Sequence, residues 1–436
     1  MGSWKKIALE SLCVFEKGKT GLAKAAPGKY PLVATSRERK SCDAYQFDTK
    51  AVCIPLVSST GHGHASLKQV HYQEGKFALG TILVAVIPKD ENILNAQFLY
   101  LYLSRLKDTV LVPLMTGAAN VSLTVTKIKK VEIPLPPIEE QLRIVSLFNR
   151  MDNEQAELVD EISHQQELLK KLCQSILQEA IEGKLTASWR EQNPDVESAS
   201  VLLEKIKAEK EQLIKEKKIK KQKPLPPINE DEMSFDIPDS WERCRLGNVS
   251  SKIGSGSTPK GSNYSEKGVP FFRSQNIYNN GLVYSDIKYI SDETHKKMSG
   301  TKVLPEDILL NITGGSMGRC AYVPKDFDDA NLSQHVCIIR PILLNPIFVH
   351  NLVLSPVFQD MIFSSTTGAG REGLPKNNLE QFVIPIIPLE EQKEIVKKIE
   401  SLFKICDELK TQIDSSKKNS ELLMQAVLKE AFEDDQ

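Results

Sequence analysis

Two short stretches of the 436-residue chain contain residue types that bind metals or nucleotides in other proteins. His62 and His64 flank Gly63, and two imidazoles at close spacing can ligate a transition metal. No carboxylate partner accompanies them, so we predict a polar loop that makes binding contacts or is only solvated, and no metal site. Residues 368–373 match G-x-G-x-x-G, but no clean strand leads into them, so this signal for a dinucleotide is weak.

Catalytic motifs are otherwise absent from the sequence. It contains no P-loop, no H-E-x-x-H, no G-x-S-x-G, and no helicase or Asn-Pro-Pro-Tyr-like methyltransferase motif. We therefore predict no catalytic residues and no cofactor in this chain.

No run of 18 apolar residues occurs, so no membrane span is predicted. The scattered cysteines form no C-x-x-C pair, which favours reduced thiols in a cytoplasmic protein. They are Cys13, Cys42, Cys53, Cys173, Cys244, Cys320, Cys337 and Cys406.

Charge is distributed unevenly, although the net charge is only −1. Residues 15–40 contain seven basic residues against two acids, a net of +5. Residues 139–182 contain ten acids against four basic residues, a net of −6. Basic loops separated from acidic helices suit a protein that binds DNA through one region and another partner through a different one.

Polar and basic side chains in the loops are the candidates for contact with double-stranded DNA. Arginine can bind guanine edges with two hydrogen bonds, asparagine and glutamine do so with adenine, and lysine more often contacts phosphate. For each residue, a solvated surface role remains open. The candidates are Lys17, Lys19, Arg37, Arg39, Lys40, Lys252, Lys260, Arg273, Gln275, Asn276, Arg319, Arg371 and Lys376.

An internal repeat must position these loops, because nearly the whole chain occurs twice. Residues 133–141, with the pattern I-P-x-x-P-x-E-E-Q, match residues 384–392 position for position at an offset of 251. The T-G-A loop at 116–118 matches 367–369 at the same offset. The matches at residues 60–61 and 88 have an offset of 253, whereas those at residues 3–4 and 31 have offsets of 237 and 239. We therefore place a single jump between residues 45 and 54. The repeat predicts a pseudo-two-fold arrangement.

Each copy begins with a mixed segment, residues 1–132 and 238–383. Short apolar, β-rich runs such as 52–57 and 336–339 alternate with Gly-rich polar loops, and an apolar helical run follows at 96–106 and 346–358. We therefore predict two tandem α+β domains.

Each copy ends with a long helix, residues 133–185 and 384–436. Prolines and a Glu-Glu pair mark each start, and Gly183 is a stop signal for the first helix. A 4-3 apolar pattern predicts a coiled-coil seam, and the repeat predicts that the two helices pack antiparallel. The alternative is an ordinary amphipathic helix in a bundle. The seam positions that we single out are Leu158, Ile162, Leu172, Leu409, Ile413 and Leu423.

One segment, residues 186–237, is not repeated. It contains a Lys-rich helix at 200–221, a Pro-rich stretch and an acidic stretch. We interpret it as a solvated linker helix followed by an extended connector. Its lysines could contact DNA phosphates or only solvent.

The chain resembles the specificity subunits of type I restriction–modification enzymes. The paired I-P-x-x-P-x-E-E-Q segments, the T-G-A loops, the long helices and the helix exit at 182–186 are the features that match. The resemblance implies two target-recognition domains, each recognising half of a split DNA site, and helices that dock two modification subunits. It further implies that those partners supply S-adenosylmethionine chemistry, and that restriction subunits supply ATP- and Mg-dependent cleavage. A fused enzyme and a scaffold that never touches DNA are the competing hypotheses.

Overall fold

The computed structural model resolves the chain into two compact units, residues 1–164 with 413–436, and residues 165–412. Each unit is described by itself. The structure describes residues 4–23, 25–60, 63–118, 120–229, 232–233, 235–259, 261, 264–366 and 373–432.

The first unit contains two four-stranded sheets and a separate strand pair. The sheets have the orders β2-β9-β6-β7 and β4-β3-β8-β5, and β1 pairs with β10. The strands are β1 Lys6–Ala8, β2 Cys13–Lys17, β3 Tyr30–Val33, β4 Lys40–Cys42, β5 Phe47–Asp48, β6 Ala51–Pro55, β7 His71–Gln73, β8 Lys76–Leu79, β9 Leu83–Pro88 and β10 Glu132–Pro134. The helices are α1 Leu9–Leu12, α2 Ala96–Arg105, α3 Lys107–Val110, α4 Val125–Lys129 and the first part of α5 Ile138–Ile181.

The second unit repeats this topology. Its sheets have the orders β12-β21-β18-β19 and β16-β13-β20-β17, and β11 pairs with β22. The strands are β11 Glu242–Arg245, β12 Ser250–Ser255, β13 Val269–Phe272, β14 Ile277–Tyr278, β15 Gly281–Leu282, β16 Lys288–Ile290, β17 Lys302–Val303, β18 Ile308–Asn311, β19 Cys320–Tyr322, β20 Ala330–Leu332, β21 Val336–Pro341 and β22 Val383–Ile386. The helices are α6 Ala187–Gln192, α7 Ala199–Lys215, α8 Asp292–Lys297, α9 Pro346–Leu354, α10 Pro356–Ser364, α11 Lys376–Gln381 and the first part of α12 Leu389–Phe432. The α+β prediction is therefore confirmed for both copies.

The central strands are apolar because both of their faces are buried. In β6, Val52 and Ile54 enter one core cluster, whereas Cys53 between them enters another. In β18, Leu309 likewise faces a different cluster from its neighbours. Side chains alternate between the faces of a strand, so a sheet covered on both sides requires an uninterrupted apolar run. The predicted runs at 52–57 and 336–339 contain such strands.

The extra residues of the second copy lie earlier than the sequence pattern indicated. Fifteen residues, 273–287, join β13 to β16, where six residues, 34–39, join the equivalent strands β3 and β4. The longer connection contains the two-stranded hairpin β14–β15. A further surplus lies between β16 and β17. The prediction of a single jump between residues 45 and 54 is therefore wrong. The offset between the two copies increases at two separate loop insertions, one on each side of β16.

The glutamine of each E-E-Q motif joins its long helix to the adjacent domain. Gln141 accepts a hydrogen bond from the Asn95 backbone N–H at 2.8 Å and donates to the Ile93 carbonyl at 2.8 Å. In the second copy, Gln392 accepts from the Asn345 N–H at the same distance. Both glutamines are fully buried. The motif is therefore an anchor, since each glutamine orients the asparagine that caps α2 or α9.

The long helices α5 and α12 pack antiparallel, as predicted. In the first unit, Phe148 near the start of α5 stacks on Phe432 near the end of α12. In the second unit, Cys173 near the end of α5 lies against Cys406 in the first half of α12. Gly183 follows α5 at a φ of +76° and ends it, as its sequence position indicated.

The seam differs from the predicted 4-3 pattern. Ile162 is buried and Ile413 is half-buried, but Leu158, Leu172, Leu409 and Leu423 are 37, 44, 39 and 62% exposed. Contact shifts from Leu172 to Cys173 and from Leu423 to Met424, at equivalent places in the two helices. In α5 the spacing from Leu169 to the next contacting residue, Cys173, is therefore four residues, whereas the heptad pattern requires three. This shift turns Leu172 out of the contact, and the equivalent shift in α12 does the same to Leu423. Leu158 and Leu409 flank the contact between the helices and stay partly exposed.

The segment at 186–237 is not a solvated linker. Ala199, Leu202 and Ile206 of α7 are buried in the core of the second unit. Beyond the helix, Arg245 donates to the carbonyls of Pro226 and Pro227 and pairs with Glu232 at 2.6 Å. The prediction of a solvated linker helix was wrong because it was based on the many lysines and overlooked three apolar residues at helical spacing.

Of the helices in the described parts of the chain, none by itself has both the length and the apolar composition needed to cross a membrane. The bent pair α9 and α10 meets these criteria jointly, by length and composition.

Candidate DNA interface

Two polar loops meet at equivalent places in the two domains. In the first domain, the loop after β6 contacts the T-G-A loop, where Ser58 N–H donates to the Val121 carbonyl at 3.0 Å. In the second domain, Leu374 N–H donates to the Ile312 carbonyl at 2.9 Å, and Thr313 pairs with Gly373. The repeat therefore brings the predicted loops together in each copy. Residues 61–62 and 367–372, which include His62, Arg371 and most of the G-x-G-x-x-G match, lie outside the described residues.

Four basic candidates of the first domain are exposed, namely Lys17, Lys19, Arg37 and Lys40. Lys19 pairs with Glu16 at 3.1 Å, and Gln46 donates to the same carboxylate at 3.2 Å. The bonds from Gln46 and then from Lys19 lower the pKa of Glu16. Such an exposed pair can open at little cost when a phosphate competes for the lysine.

Arg39 is a framework residue of the first domain. Its Nε donates to Gln73 Oε1 at 3.0 Å, one terminal nitrogen lies 3.0 Å from His71 Nδ1, and the other donates to the Tyr72 carbonyl at 3.1 Å. Burial, then the nearby charge of Arg39, lowers the pKa of His71 to about 4. The prediction of a DNA contact for Arg39 is therefore corrected, because β7 occupies its donors.

Arg273 and Gln275 share one acidic partner on the second domain. Arg273 donates to Asp286 Oδ2 at 3.2 Å and to the Asp286 carbonyl at 2.6 Å, and Gln275 donates to the same Oδ2 at 2.7 Å. Asn276 is fully buried and donates to the carbonyls of Val283 and Ser285. The prediction that Asn276 contacts DNA is wrong, since its amide is used inside the connection between β13 and β16.

Arg319 lies beside the inserted hairpin. Its guanidinium carbon is 4.8 Å from the centre of the Tyr278 ring. Buried Asn311 joins this region to Arg273's segment, because its amide donates to the Ser274 carbonyl at 2.9 Å and to Ser316 Oγ at 3.2 Å. The structure therefore brings the segments of Arg273, Gln275 and Arg319 together.

The remaining candidates of the second domain lie apart from that cluster. Lys252 is half-buried and donates to the Gly300 carbonyl at 2.6 Å. Burial, then the charge of Arg340, lowers its pKa. This bond uses one of the three ammonium donors, and the DNA contact of Lys252 stays a prediction. Lys376 is exposed at the start of α11 and pairs with Glu380 at 3.1 Å, and Lys260 lies outside the described residues.

A buried carboxylate is the main feature that the sequence did not reveal. Glu391 is 1% exposed, and its two oxygens accept from Trp241 Nε1 at 2.8 Å, Thr186 Oγ1 at 2.7 Å and Arg190 at 2.9 Å. The first-copy equivalent, Glu140, instead pairs with exposed Arg143 at 2.7 Å. Glu391 therefore joins α12, α6 and the start of the second domain. The available signal in the sequence was the dipeptide Ser240-Trp241 before β11, which repeats Ser3-Trp4.

Metal ligands do not cluster in the described part of the chain, where no group of three or more His, Cys, Asp or Glu side chains could hold an ion. All eight cysteines are free thiols.

The fold and its loops define a class of protein in which two matching α+β domains present polar loops and are joined by two long antiparallel helices. The chain belongs to the family described as the type I restriction modification DNA specificity domain, whose model matches residues 1–167 and 238–416. It is 29% identical over 333 residues to the specificity subunit of the type I restriction enzyme EcoAI of Escherichia coli. That alignment covers 65% of this chain and 55% of the relative, so the chain spans about half the length of this curated relative.

Two solved structures share the fold over the whole chain. The HsdS subunit from Thermoanaerobacter tengcongensis aligns with a TM-score of 0.56 at 19% identity, covering 100% of this chain and 98% of that one. A chain from a structure described as the basis of complex assembly and conformational transition of the type I R-M system aligns with a TM-score of 0.62 at 16% identity. That alignment covers 100% and 99% of the two chains.

Proposed function

We propose that this chain is the DNA-recognition subunit of a type I restriction–modification complex, and that each α+β domain recognises one half of a split double-stranded DNA site. The observation that supports this most strongly is the repeat itself. Both domains have the same sheet orders and the same junction of two loops, whereas the side chains on their loops differ. One scaffold with two loop sets suits two different half-sites.

The long helices offer two equivalent docking sites for two modification subunits. Leu158 and Leu409 occupy equivalent positions, as do Leu172 and Leu423, and all four are exposed. The Phe148–Phe432 contact sets the register in the first unit, so Leu158 and Leu423 lie at nearly the same level of the helix pair. The Cys173–Cys406 contact places Leu172 and Leu409 within about 3 Å of each other along the axis, at about 1.5 Å per residue. Exposed apolar pairs that recur in this way are typical of interaction surfaces.

The chemistry is assigned to the partner subunits. The modification subunits would bind S-adenosylmethionine, restriction subunits would use ATP and Mg²⁺, and this chain would supply no catalytic group. The purified chain alone should neither methylate nor cut DNA. Methyl transfer by the chain, with contaminating subunits excluded, would contradict this assignment.

Exchange of one domain tests the proposal. The chain is co-expressed with its modification subunit, and methylated sites are mapped before and after residues 241–383 are replaced by the matching domain of a relative. One half of a split motif should change, while the other half and the spacer stay, because the long helices are unchanged. A simultaneous change in both halves would show that the domains do not recognise DNA independently, and the absence of any split motif would reject the function.

A further inference from the structure

We propose that Arg319, held against Tyr278, recognises a guanine in the half-site of the second domain. This inference rests on the proposed function and adds to it a residue that determines specificity and the base that it selects. Tyr278 belongs to the β14–β15 hairpin, which lies within the connection that is fifteen residues long in the second domain and six in the first. The pairing is therefore a feature of the second domain alone, as a residue that distinguishes two half-sites must be.

The backbone of Arg319 is fixed from several sides. Asn311 N–H donates to the Arg319 carbonyl at 2.8 Å, and Gly318 N–H donates to the Asn311 carbonyl at 2.9 Å. Gln359 Nε2 donates to the Gly318 carbonyl at 3.0 Å. Gly318 has a φ of +85°, a backbone conformation that residues with a side chain rarely adopt, so a substitution there is strained. The residue before Arg319 is thus locked onto a buried strand and a helix.

The Tyr278 ring fixes the guanidinium of Arg319. At 4.8 Å from the ring centre, the cation contacts the face of the ring, which attracts positive charge. This contact uses the positive charge of the guanidinium and takes up none of its N–H donors in a conventional hydrogen bond, so they are available to a base. Tyr278 is 38% exposed and Arg319 is partly exposed, so neither is sealed inside the domain.

The ion pairs of other arginines in the second unit support the choice of Arg319. Arg340 is held by buried Asp307, Arg273 by Asp286, and Arg190 by Glu391. Among the residues that the structure describes, no carboxylate forms a salt bridge with Arg319. A guanidinium that is oriented by an aromatic ring, and is not neutralised, loses little freedom on binding and can donate two parallel bonds to guanine O6 and N7.

The experiment uses the complex of the full chain with its modification subunit, and the domain exchange identifies the half-site of the second domain. Arg319→Lys keeps the charge but loses the two-donor edge, and Tyr278→Ala removes the ring. Both variants should lose about 5- to 150-fold of the discrimination at one guanine position. Tyr278→Phe is the matched control and should keep that discrimination. The half-site of the first domain should be unchanged in all three.

A base analogue identifies the contacted atom. Replacing that guanine by 7-deazaguanine removes the N7 acceptor, so the wild-type complex should bind the substituted duplex at least about fivefold more weakly. The Arg319→Lys complex should show no further loss. Evenly weaker binding to every sequence would mean that Arg319 contacts phosphate, and an unchanged motif would mean that it contacts nothing. Either result overturns the inference while leaving a split wild-type motif, and hence the proposed function, intact.

Discussion

Phe148 of α5 and Phe432 of α12 stack with their ring centres 5.5 Å apart and their planes 14° apart. Phe432 also contacts Tyr102 and Phe98 of α2 at 5.6 and 6.0 Å. A residue near the end of the chain therefore completes the core of the first unit. The equivalent position of the other helix, Ile181, is buried in the second unit. Each domain is thus closed by the end of a long helix.

Truncating this aromatic contact should destabilise the first unit. We expect Phe432→Ala to cost about 3–5 kcal/mol, the range for removing a buried aromatic ring. Hydrogen exchange of β6, β9 and α2 measures the loss, because it reports the stability of this unit separately. Leu423→Ala, which truncates an exposed residue of the same helix, is the control and should change exchange little. Equal effects of the two substitutions would show that the ring is not part of the core.

The motif glutamines should tolerate no carboxylate. In Gln141→Glu, an oxygen replaces the amide nitrogen that donates to the carbonyls of Ile93 and Pro136. Loss of these buried bonds should cost at least about 1–3 kcal/mol, plus the cost of burying a charge. Denaturant unfolding checks this value, with Gln412→Glu on an exposed helix position as the control. A stability change no larger than that of the control would reject the anchor role.

The two copies offer an internal comparison at the buried carboxylate. Glu391→Gln should cost about 3 kcal/mol, the lower end for breaking a buried ion pair, since Arg190 and Trp241 lose their charged partner. Glu140→Gln, at the equivalent position, breaks only the bond to exposed Arg143 and should cost less than about 1 kcal/mol. Unfolding of the two variants in urea should separate them clearly, and similar values would contradict the assigned difference in burial.

Much of the architecture could be predicted from the sequence, because repetition and periodicity are directly visible there. The strands β6 and β21, the start of α5 and its stop at Gly183 follow from local residue types. The phase shift at Cys173 and Met424 could not be predicted, since leucine is the more usual core residue and stands next to each. Only the packed partner helix decides which neighbour is buried.

The candidate interface was harder to predict for a similar reason. Gln275 and Asn276 are neighbours with related side chains, yet one is exposed and the other is fully buried. Arg39 and Arg37 differ in the same way, because β7 offers acceptors to only one of them. Local sequence gives the donors of a loop but not the acceptors that the fold brings to them. Tyr278 was missed because its partner Arg319 is 41 residues away in the sequence.

The stability of the first domain should depend on the protonation of His71. Its pKa is about 4 in the folded chain because burial and Arg39 disfavour the charged ring, against about 6.5 when unfolded. Between these values the unfolded chain binds a proton that the folded chain does not, so stability falls as pH drops from about 6.5 to about 4. Hydrogen exchange of β6 and β7 across this range measures the effect. His71→Gln should reduce the slope, whereas His64→Gln, an exposed control, should not; identical slopes in all three proteins would contradict the assignment.

The exposed leucines should determine assembly without determining folding. Leu172→Asp and Leu423→Asp place charges on surfaces that are 44 and 62% exposed, so each variant should fold with little loss of stability. A charge in the centre of an apolar interface costs several kcal/mol, so each variant should lose one modification subunit and the double variant should lose both. Native mass spectrometry of the co-expressed complex counts the subunits. Lys170→Asp, a change at another exposed position of α5, is the control, and Ile162→Asp should instead impair folding because its side chain is buried. Two modification subunits on the folded double variant would show that docking takes place on another surface.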